Sequence, residues 1–344
     1  MNLVSVIVPA YNAELTVAES LESVRSQSHR AMEILVIDDG STDNTPEIVR
    51  SIAAADSRIR LISTANQGVA RARNVGLDIA RGTFIAPVDA DDLWHPMKIE
   101  LQLKAFERSP SNVGLVYNWF RRIDEAGFVV EKFAAPVVEG NVIHRHLQWN
   151  FISNGSTPLF KRSALNATRY ESALRDAGNE GCEDYFIQLE IATRAAFACA
   201  PAFLTGYRRT SNAMSTNVAR MIRSHIQTLS AFQSKVSAEA QAIIRARVAD
   251  FKIQYARNRV RRGRLGDAIL SAASALRLDS AATAGALKNE LLLGWERMTG
   301  RPKACGGLEP ARRFLDWDVE EGCQPWRPEK FHLLADYAEL DNRG

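Results

Sequence analysis

The chain has 344 residues, 46% hydrophobic and 24% charged, with a formal net charge of +3. This is an ordinary globular composition, long enough for a large core and more than one structural unit. The small net charge argues against a nucleic-acid partner, and the lack of an uncharged apolar stretch of about 18 residues argues against a membrane span.

The four cysteines, Cys182, Cys199, Cys305 and Cys323, form no Cys-x-x-Cys pair and show no zinc-ligand spacing, so a reduced, cytoplasmic compartment is the default. Met1 runs into an apolar segment without a basic leader or cleavage site, and no signal peptide is expected.

Leu3 to Val8 reads as a buried strand and Pro9-Ala10-Tyr11-Asn12 as the loop after it. A helical pattern follows from Leu15 to Ser28, with Val17, Leu21 and Val24 on one face. Glu33 to Ile37 is a second strand, ending at the turn-rich Asp38-Asp39-Gly40-Ser41-Thr42-Asp43, and Thr45-Pro46 opens the next helix. Ile59 to Ile62 is a third strand. Gln67 to Arg81 is a helix with Gly82 as its expected C-terminal cap, and Phe84 to Val88 is a fourth strand. This alternation predicts a parallel sheet with helices on both faces, and such sheets bind ligands at the carboxyl ends of their strands.

That rule gathers three loops on one edge. Tyr11 offers an aromatic ring, Asp38-Asp39 a carboxylate pair, and Asp89-Ala90-Asp91-Asp92 three acids within four residues. An aromatic face with a carboxylate suits a nucleobase and ribose. Three adjacent carboxylates repel one another unless a cation neutralises them, and Mg2+ or Mn2+ takes one or two carboxylates beside phosphate oxygens. The competing reading is a polar turn, with Asp91 or Asp92 capping a helix that starts near Pro96. No Gly-x-Gly-x-x-Gly or P-loop follows the first strand, so a glycine cradle for phosphate is not expected.

Pro96 to Arg108 reads as a helix and Val113 to Tyr117 as a strand; residues 118–160 mix strands, turns and a loop. Cys182 to Ala196 is helical and opens on Glu183-Asp184, and Phe197 to Tyr207 is extended. From Asn217 to about Leu293 the chain is alanine-rich and lacks proline, which predicts three or four helices in short hairpins. In the tail from Gly300, Trp317, Trp326 and Phe331 are candidate anchors.

Four linked segments carry a family resemblance: Val4 to Asn12, Glu33 to Asp43, Asn66 to Asn74, and Asp89-Ala90-Asp91-Asp92-Leu93-Trp94. In this order they resemble family 2 glycosyltransferases of the GT-A fold, closely over residues 1–100, loosely over 101–215 and little beyond. The resemblance implies an α/β, Rossmann-like mixed sheet flanked by helices. It divides residues 1–215 into a nucleotide-binding half, 1–100, and an acceptor half, 101–215, ahead of an α-helical region at 216–299 and a tail at 300–344.

The implied activity is inverting transfer of a sugar from a nucleotide diphosphate, UDP-sugar being commonest in the family, to an acceptor hydroxyl with Mn2+ or Mg2+. Acceptors in such families are saccharides or lipid-linked precursors of surface polysaccharide or glycolipid, which suits a cytoplasmic enzyme working at the inner face of the membrane. By position, Pro9, Ala10 and Tyr11 would line the base pocket, Asp39 would bind base or ribose, and Asp38 would support the turn. Arg71 would reach the nucleotide, with Arg73 bracing the carboxylates. Asp91 is the implied metal ligand, Asp89 with Ala90 its partner toward the sugar nucleotide, and Asp92 a helix cap. Glu183-Asp184 matches the family's catalytic pair, with Asp184 the first choice for general base and Glu183 the second. Arg208 matches a late segment that folds over the diphosphate, although Arg209-Thr210 stands where the family has a histidine.

Glu183 and Asp184 also suit a helix's first turn as plain acids. His144 and His146 read as loop or acceptor-side surface rather than metal ligands. Arg257, Arg261 and Arg264 form a helical stripe, read as a solvated face, with anionic lipid or an acidic glycan as the functional alternative. A non-catalytic scaffold, whose helical region binds a partner, is the rival to an enzyme. The oligomeric state is not legible.

Overall fold

A computed structural model describes residues 2–131, 136–209, 216–298, 313–316 and 337–342. Strands β1 Val4–Ala10, β2 Met32–Asp38, β3 Ile59–Ser63 and β4 Phe84–Pro87 alternate with helices α1 Val17–Arg25, α2 Thr45–Ala55 and α3 Val69–Ile79. There follow β5 Leu93–Trp94, α4 Lys98–Arg108, β6 Val113–Ile123, β7 Val129–Glu131, α5 Ile143–Gln148, β8 Leu159–Lys161, α6 Arg162–Leu165, α7 Ala173–Asp176, α8 Glu183–Ala192 and β9 Ala196–Arg208. Four longer helices complete the chain: α9 Val218–Phe232, α10 Ala238–Arg261, α11 Leu265–Leu278 and α12 Ser280–Met298.

The strands form one sheet in the order β3-β2-β1-β4-β8-β6-β9-β5, with β7 on β6. β1 is parallel to β2 and β4, and β2 to β3, as the alternation predicts. β8 then runs antiparallel between β4 and β6, making the sheet mixed.

Side chains alternate across the sheet and build two apolar layers. Val4, Val6 and Val8 face Leu21, Val24 and Ile99 on one side. Ile7, Leu35 and Ile37 face Ala72, Leu77, Ile187 and Ile191 on the other. α8 continues into a third cluster, where Tyr185, Phe186 and Leu189 pack on Leu229, Phe232, Ile243 and Val248 of α9 and α10. The sheet and the helical region are thus joined through α8, which packs on both. Among the described residues no helix is long and apolar enough to cross a membrane.

Several expectations change. Pro9 and Ala10 belong to β1 rather than to the loop after it. α3 ends at Ile79 with Ala80 as its cap, so Gly82 is not a helix cap. Gly82 is required by close approach instead: its N–H donates to Ser5 Oγ at 2.8 Å, and a Cβ there would lie 2.6 Å from Ser5 N. α8 stops at Ala192, four residues short of the expected Ala196, which begins β9. His144 and His146 lie on α5 and are buried rather than on a loop or surface. The His146 ring packs on Phe151, Tyr185 and Phe197, and burial pushes its pKa down to about 3. His144 meets the buried Asp341 at 3.0 Å. Trp317, Trp326 and Phe331 lie outside the described residues; Phe314 is the described anchor, buried against Leu93 and Ile123.

Candidate active site

The carboxyl ends of β1, β2 and β4 converge as expected. Asn12, at φ +48°, ties the first two loops together: its N–H donates to Ser41 Oγ at 3.0 Å, and its Oδ1 accepts from Thr42 N at 2.8 Å. This leaves Tyr11 at the rim, 51% exposed. Asp38 accepts from Ser41 N at 3.0 Å and closes its own turn. Buried Asp39 accepts from the N–H groups of Gln67 and Gly68 at 2.8 and 2.7 Å, which fixes the entrance to α3. Burial raises its carboxyl pKa against the Gln67 N–H and the Arg175 charge. Gly68, at φ +93°, lies so close to Arg175 that a Cβ would stand 2.6 Å from its Cδ. Arg71 lies on the solvent side of α3, 3.6 Å from Asp176.

The acid cluster is divided by environment. Asp92 is fully buried and accepts from Ser156 Oγ at 2.5 Å and from the Arg208 N–H at 2.9 Å. α4 begins only at Lys98, with Met97 as its cap, so Asp92 does not cap it. It pins the 154–156 loop and the end of β9 beneath the site, and burial with the charges of Asp91 and Asp89 raises its pKa strongly. Asp89 faces Arg73, whose Nη2 donates to it at 2.5 Å. Asp91 is partly exposed, and its carboxylate has no ion-pair partner among the described residues. Burial and the Asp89 charge push it up to about 6, against Arg208 and Arg73.

Buried Arg73 joins the two halves of the site. Its Nη1 donates to Glu183 Oε1 at 2.8 Å while Nη2 holds Asp89. The ring of Tyr170 lies 5.3 Å from the guanidinium, and a Cβ on Gly155 would stand 3.1 Å from Nη2, so the brace is enclosed. Glu183 is therefore the paired member of Glu183-Asp184. Asp184 makes no ion pair among the described residues, and burial followed by the Glu183 charge pushes it up to about 7, against Arg73.

Asp184 opens on a cavity of about 330 Å³. The 149–153 loop supplies Trp149 and Asn150 to its wall, and α9 and α10 supply His225, Arg247 and Gln254. His225 Nδ1 lies 2.9 Å from the Met221 carbonyl, which can only accept, so Nδ1 carries the proton and Nε2 is an acceptor. A larger cavity of about 840 Å³ lies between α4 and the start of β9, at the opposite edge of the sheet from the acids.

Arg208 has a different surrounding from a diphosphate clasp. Its Nε donates to the Asp91 carbonyl at 2.7 Å, Nη1 to the carbonyls of Asp124 and Glu125 at 3.1 and 2.6 Å, and Nη2 to Glu19 at 2.6 Å. With every guanidinium nitrogen engaged, it braces the Asp91 backbone from below. Sequence reasoning did not find Ser156, Asn154, Glu19, Arg175 or the α9–α10 wall. Only Ser153-Asn154-Gly155-Ser156, a turn-rich run, carried a local signal.

Among the described residues no group of three or more His, Cys, Asp and Glu side chains converges as a metal cage. A site with one free carboxylate, Asp91, beside Asp89 matches a divalent cation that completes its shell with phosphate and water. The raised Asp91 pKa marks uncompensated charge that such a cation would relieve.

The profile described as Glycosyl transferase family 2 matches residues 5–166. The UDP-Glc:alpha-D-GlcNAc-diphosphoundecaprenol beta-1,3-glucosyltransferase WfgD of Escherichia coli is 31% identical over 238 residues, covering 67% of this chain and 86% of that protein. An uncharacterized glycosyltransferase of Rickettsia felis is 42% identical over 145 residues, or 42% of this chain and 24% of that protein. The matched stretch spans about a quarter of each of the Rickettsia relatives. Among solved structures, S. aureus TarS 1-349 in complex with UDP-GlcNAc aligns with a TM-score of 0.53 at 16% identity, over 80% of this chain and 91% of that one. The mannosyltransferase PcManGT from Pyrobaculum calidifontis, in complex with GDP-Man and Mn2+, aligns with a TM-score of 0.56 at 21% identity, over 86% and 84%.

Proposed function

The chain belongs to glycosyl transferase family 2, and from that premise we propose that it moves a sugar, with inversion, from a UDP-sugar to a hydroxyl of a saccharide or lipid-linked acceptor. The observation that carries this reading is the setting of Asp184, a carboxyl held near neutrality, open to a cavity, and linked through Glu183 and Arg73 to Asp89.

In this reading Tyr11, Pro9 and Ala10 flank the base, Asp39 and Arg71 lie toward the nucleoside, and Asp89 with Ala90 lies toward the sugar. Asp91, with Asp89 beside it, would hold Mn2+ or Mg2+, which when bound neutralises charge on the diphosphate. The acceptor occupies the cavity with one hydroxyl against Asp184. As that oxygen bonds to the anomeric carbon, the bond from that carbon to the diphosphate oxygen breaks on the opposite face, and the proton passes to Asp184. A base titrating near neutrality suits this step, because about half of it is ionised at neutral pH and it is still basic enough to take the proton. The enclosed Arg73 bridge keeps the base helix and the donor loop in fixed relation, which favours a near-attack arrangement.

WfgD, by its name, acts on a sugar carried by diphosphoundecaprenol. That supports a lipid-linked acceptor, polysaccharide or glycolipid synthesis, and an enzyme working at the cytoplasmic face of a membrane.

The test is a screen of nucleotide sugars for metal-dependent turnover, with wild type, Asp91→Ala and Asp184→Asn. The expected result is turnover of one donor with Mn2+ or Mg2+, lost in Asp91→Ala. Asp184→Asn should keep donor binding and lose transfer. Donor binding without turnover by wild type would favour a non-catalytic scaffold, and retained transfer in Asp184→Asn would remove Asp184 as base.

A further inference from the structure

The hairpin at the far end of α10 exposes several apolar side chains. Arg261 ends α10, Gly263 turns the chain at φ +72°, and Leu265 begins α11. Leu265, Ile269 and Leu270 are 60%, 68% and 72% exposed, and Val260 and Leu276 are also exposed. On α11, Ala268 and Ala275 face the helical core. At 100° per residue Leu265, Ile269 and Leu276 fall within about 40° of one another, roughly 60–120° round the helix from the two alanines, and Leu270 lies about 100° beyond Ile269, so the exposed apolar side chains span an outer arc of about 140°. A lone exposed leucine needs no explanation, but four apolar side chains on the outer arc of one helix do.

The charge around this group has one sign. Residues 257–270 contain five arginines and a single acid, Asp267. Asp267 pairs with Arg264 at 2.8 Å, while Arg261 and Arg262 are exposed and have no ion pair among the described residues. Apolar side chains flanked by arginines are the composition of a segment that lies in a membrane interface. An acidic glycan would engage the arginines but leave Leu265, Ile269 and Leu270 in water. A second copy of the same hairpin would bring like charges together.

We infer that the α10–α11 hairpin docks on an anionic lipid surface, with Leu265, Ile269 and Leu270 at the acyl boundary and Arg261 and Arg262 among the head groups. Gln254, in the wall of the cavity beside Asp184, precedes Arg261 on the same helix by seven residues, about 10 Å along its axis. Docking would therefore hold the cavity within reach of an acceptor carried on a lipid diphosphate. The inference extends the transferase reading but stands apart from it, because lipid binding is measured without any substrate.

The experiment is co-sedimentation of the full chain with phosphatidylcholine vesicles with and without phosphatidylglycerol, at low and physiological salt. Binding is expected on the anionic vesicles and should weaken with salt. The pair Arg261→Glu and Arg262→Glu should lower affinity at least about 25-fold, at roughly five-fold for each arginine removed from the surface. The pair Leu265→Asp and Ile269→Asp should abolish binding with an unchanged Tm, the control for folding. No binding at low salt, or binding untouched by both pairs, overturns the inference. So does a wild-type dimer, detected by sedimentation velocity, that the leucine–isoleucine pair converts to monomer while vesicles leave the protein unbound.

Discussion

Replacing Glu183 by glutamine isolates one of the three causes that raise Asp184, the others being burial and the Asp89 charge. Asp184 stands at about 7 instead of 3.8, with burial the larger cause and the Glu183 charge next, while Arg73 pulls the other way. The substitution removes the second cause, leaves burial in place, and leaves the Arg73 charge less compensated, since a glutamine amide oxygen still accepts from Nη1 but carries no charge. Both electrostatic changes favour the ionised form of Asp184, so its pKa must fall without reaching the ordinary carboxylate value. A fall of about one pH unit, equivalent to ~1.4 kcal/mol, follows from burial being the larger cause. A general base works only when ionised, so the acid limb of kcat/KM moves toward lower pH. At about pH 6 a base of pKa 7 is roughly one-tenth ionised and one of pKa 6 half ionised, so activity relative to plateau should rise about five-fold. The assay is a pH–rate profile for transfer with saturating Mn2+, with wild type, Glu183→Gln and Asp184→Asn. An acid limb unmoved in Glu183→Gln, or one that persists in Asp184→Asn, would refute both the base and the cause assigned to its pKa.

Arg73→Met should destabilise the fold by about 3–5 kcal/mol in urea titration, because it strands buried Glu183 and partly buried Asp89 without their cation; a loss below about 1 kcal/mol would show that the bridge is not structural. Gln254→Ala should raise the acceptor KM several-fold with donor Kd unchanged by calorimetry, since Gln254 lines the cavity beside Asp184 and no donor loop; an equal effect on both would place the acceptor elsewhere. Gly82→Ala should cost about 1–3 kcal/mol by thermal denaturation, because the added methyl lies 2.6 Å from the backbone of β1; a neutral result would mean the two segments can separate freely.

The fold of residues 1–100 was legible because its signals are local. β1, β2 and β4 are short β-branched runs ended by turn chemistry, and parallel pairing then fixes which loops share an edge. Residues 101–215 were much less so. β8, Leu159–Lys161, is three residues long and reverses direction between β4 and β6, too short to show any period. Gly82 looked like a helix cap because it follows an apolar helix, yet what selects glycine there is Ser5, 77 positions earlier in the chain. The burial of His146 likewise follows from Phe151, Tyr185 and Phe197 arriving from three separate segments.

The three acids of the Asp89–Asp92 loop show why residue type at a spacing does not by itself assign a role. All three carry the same group, and tertiary partners divide them. Asp89 is met by a guanidinium from α3, Asp92 by a serine hydroxyl and a strand N–H, and Asp91 by neither. Arg208 contributes to that division from 116 residues away. Its backbone N–H fixes Asp92 and its side chain holds the Asp91 carbonyl, so the carboxylate left without an ion pair sits on a backbone tied to β9. A cation ligand needs this combination of an uncompensated charge on an immobile support. Loss of the Arg208 side chain should therefore weaken cation affinity without removing any candidate ligand, a change that Mn2+ titration of Arg208→Met by calorimetry would detect. Unchanged affinity would show that the loop holds Asp91 without help from β9.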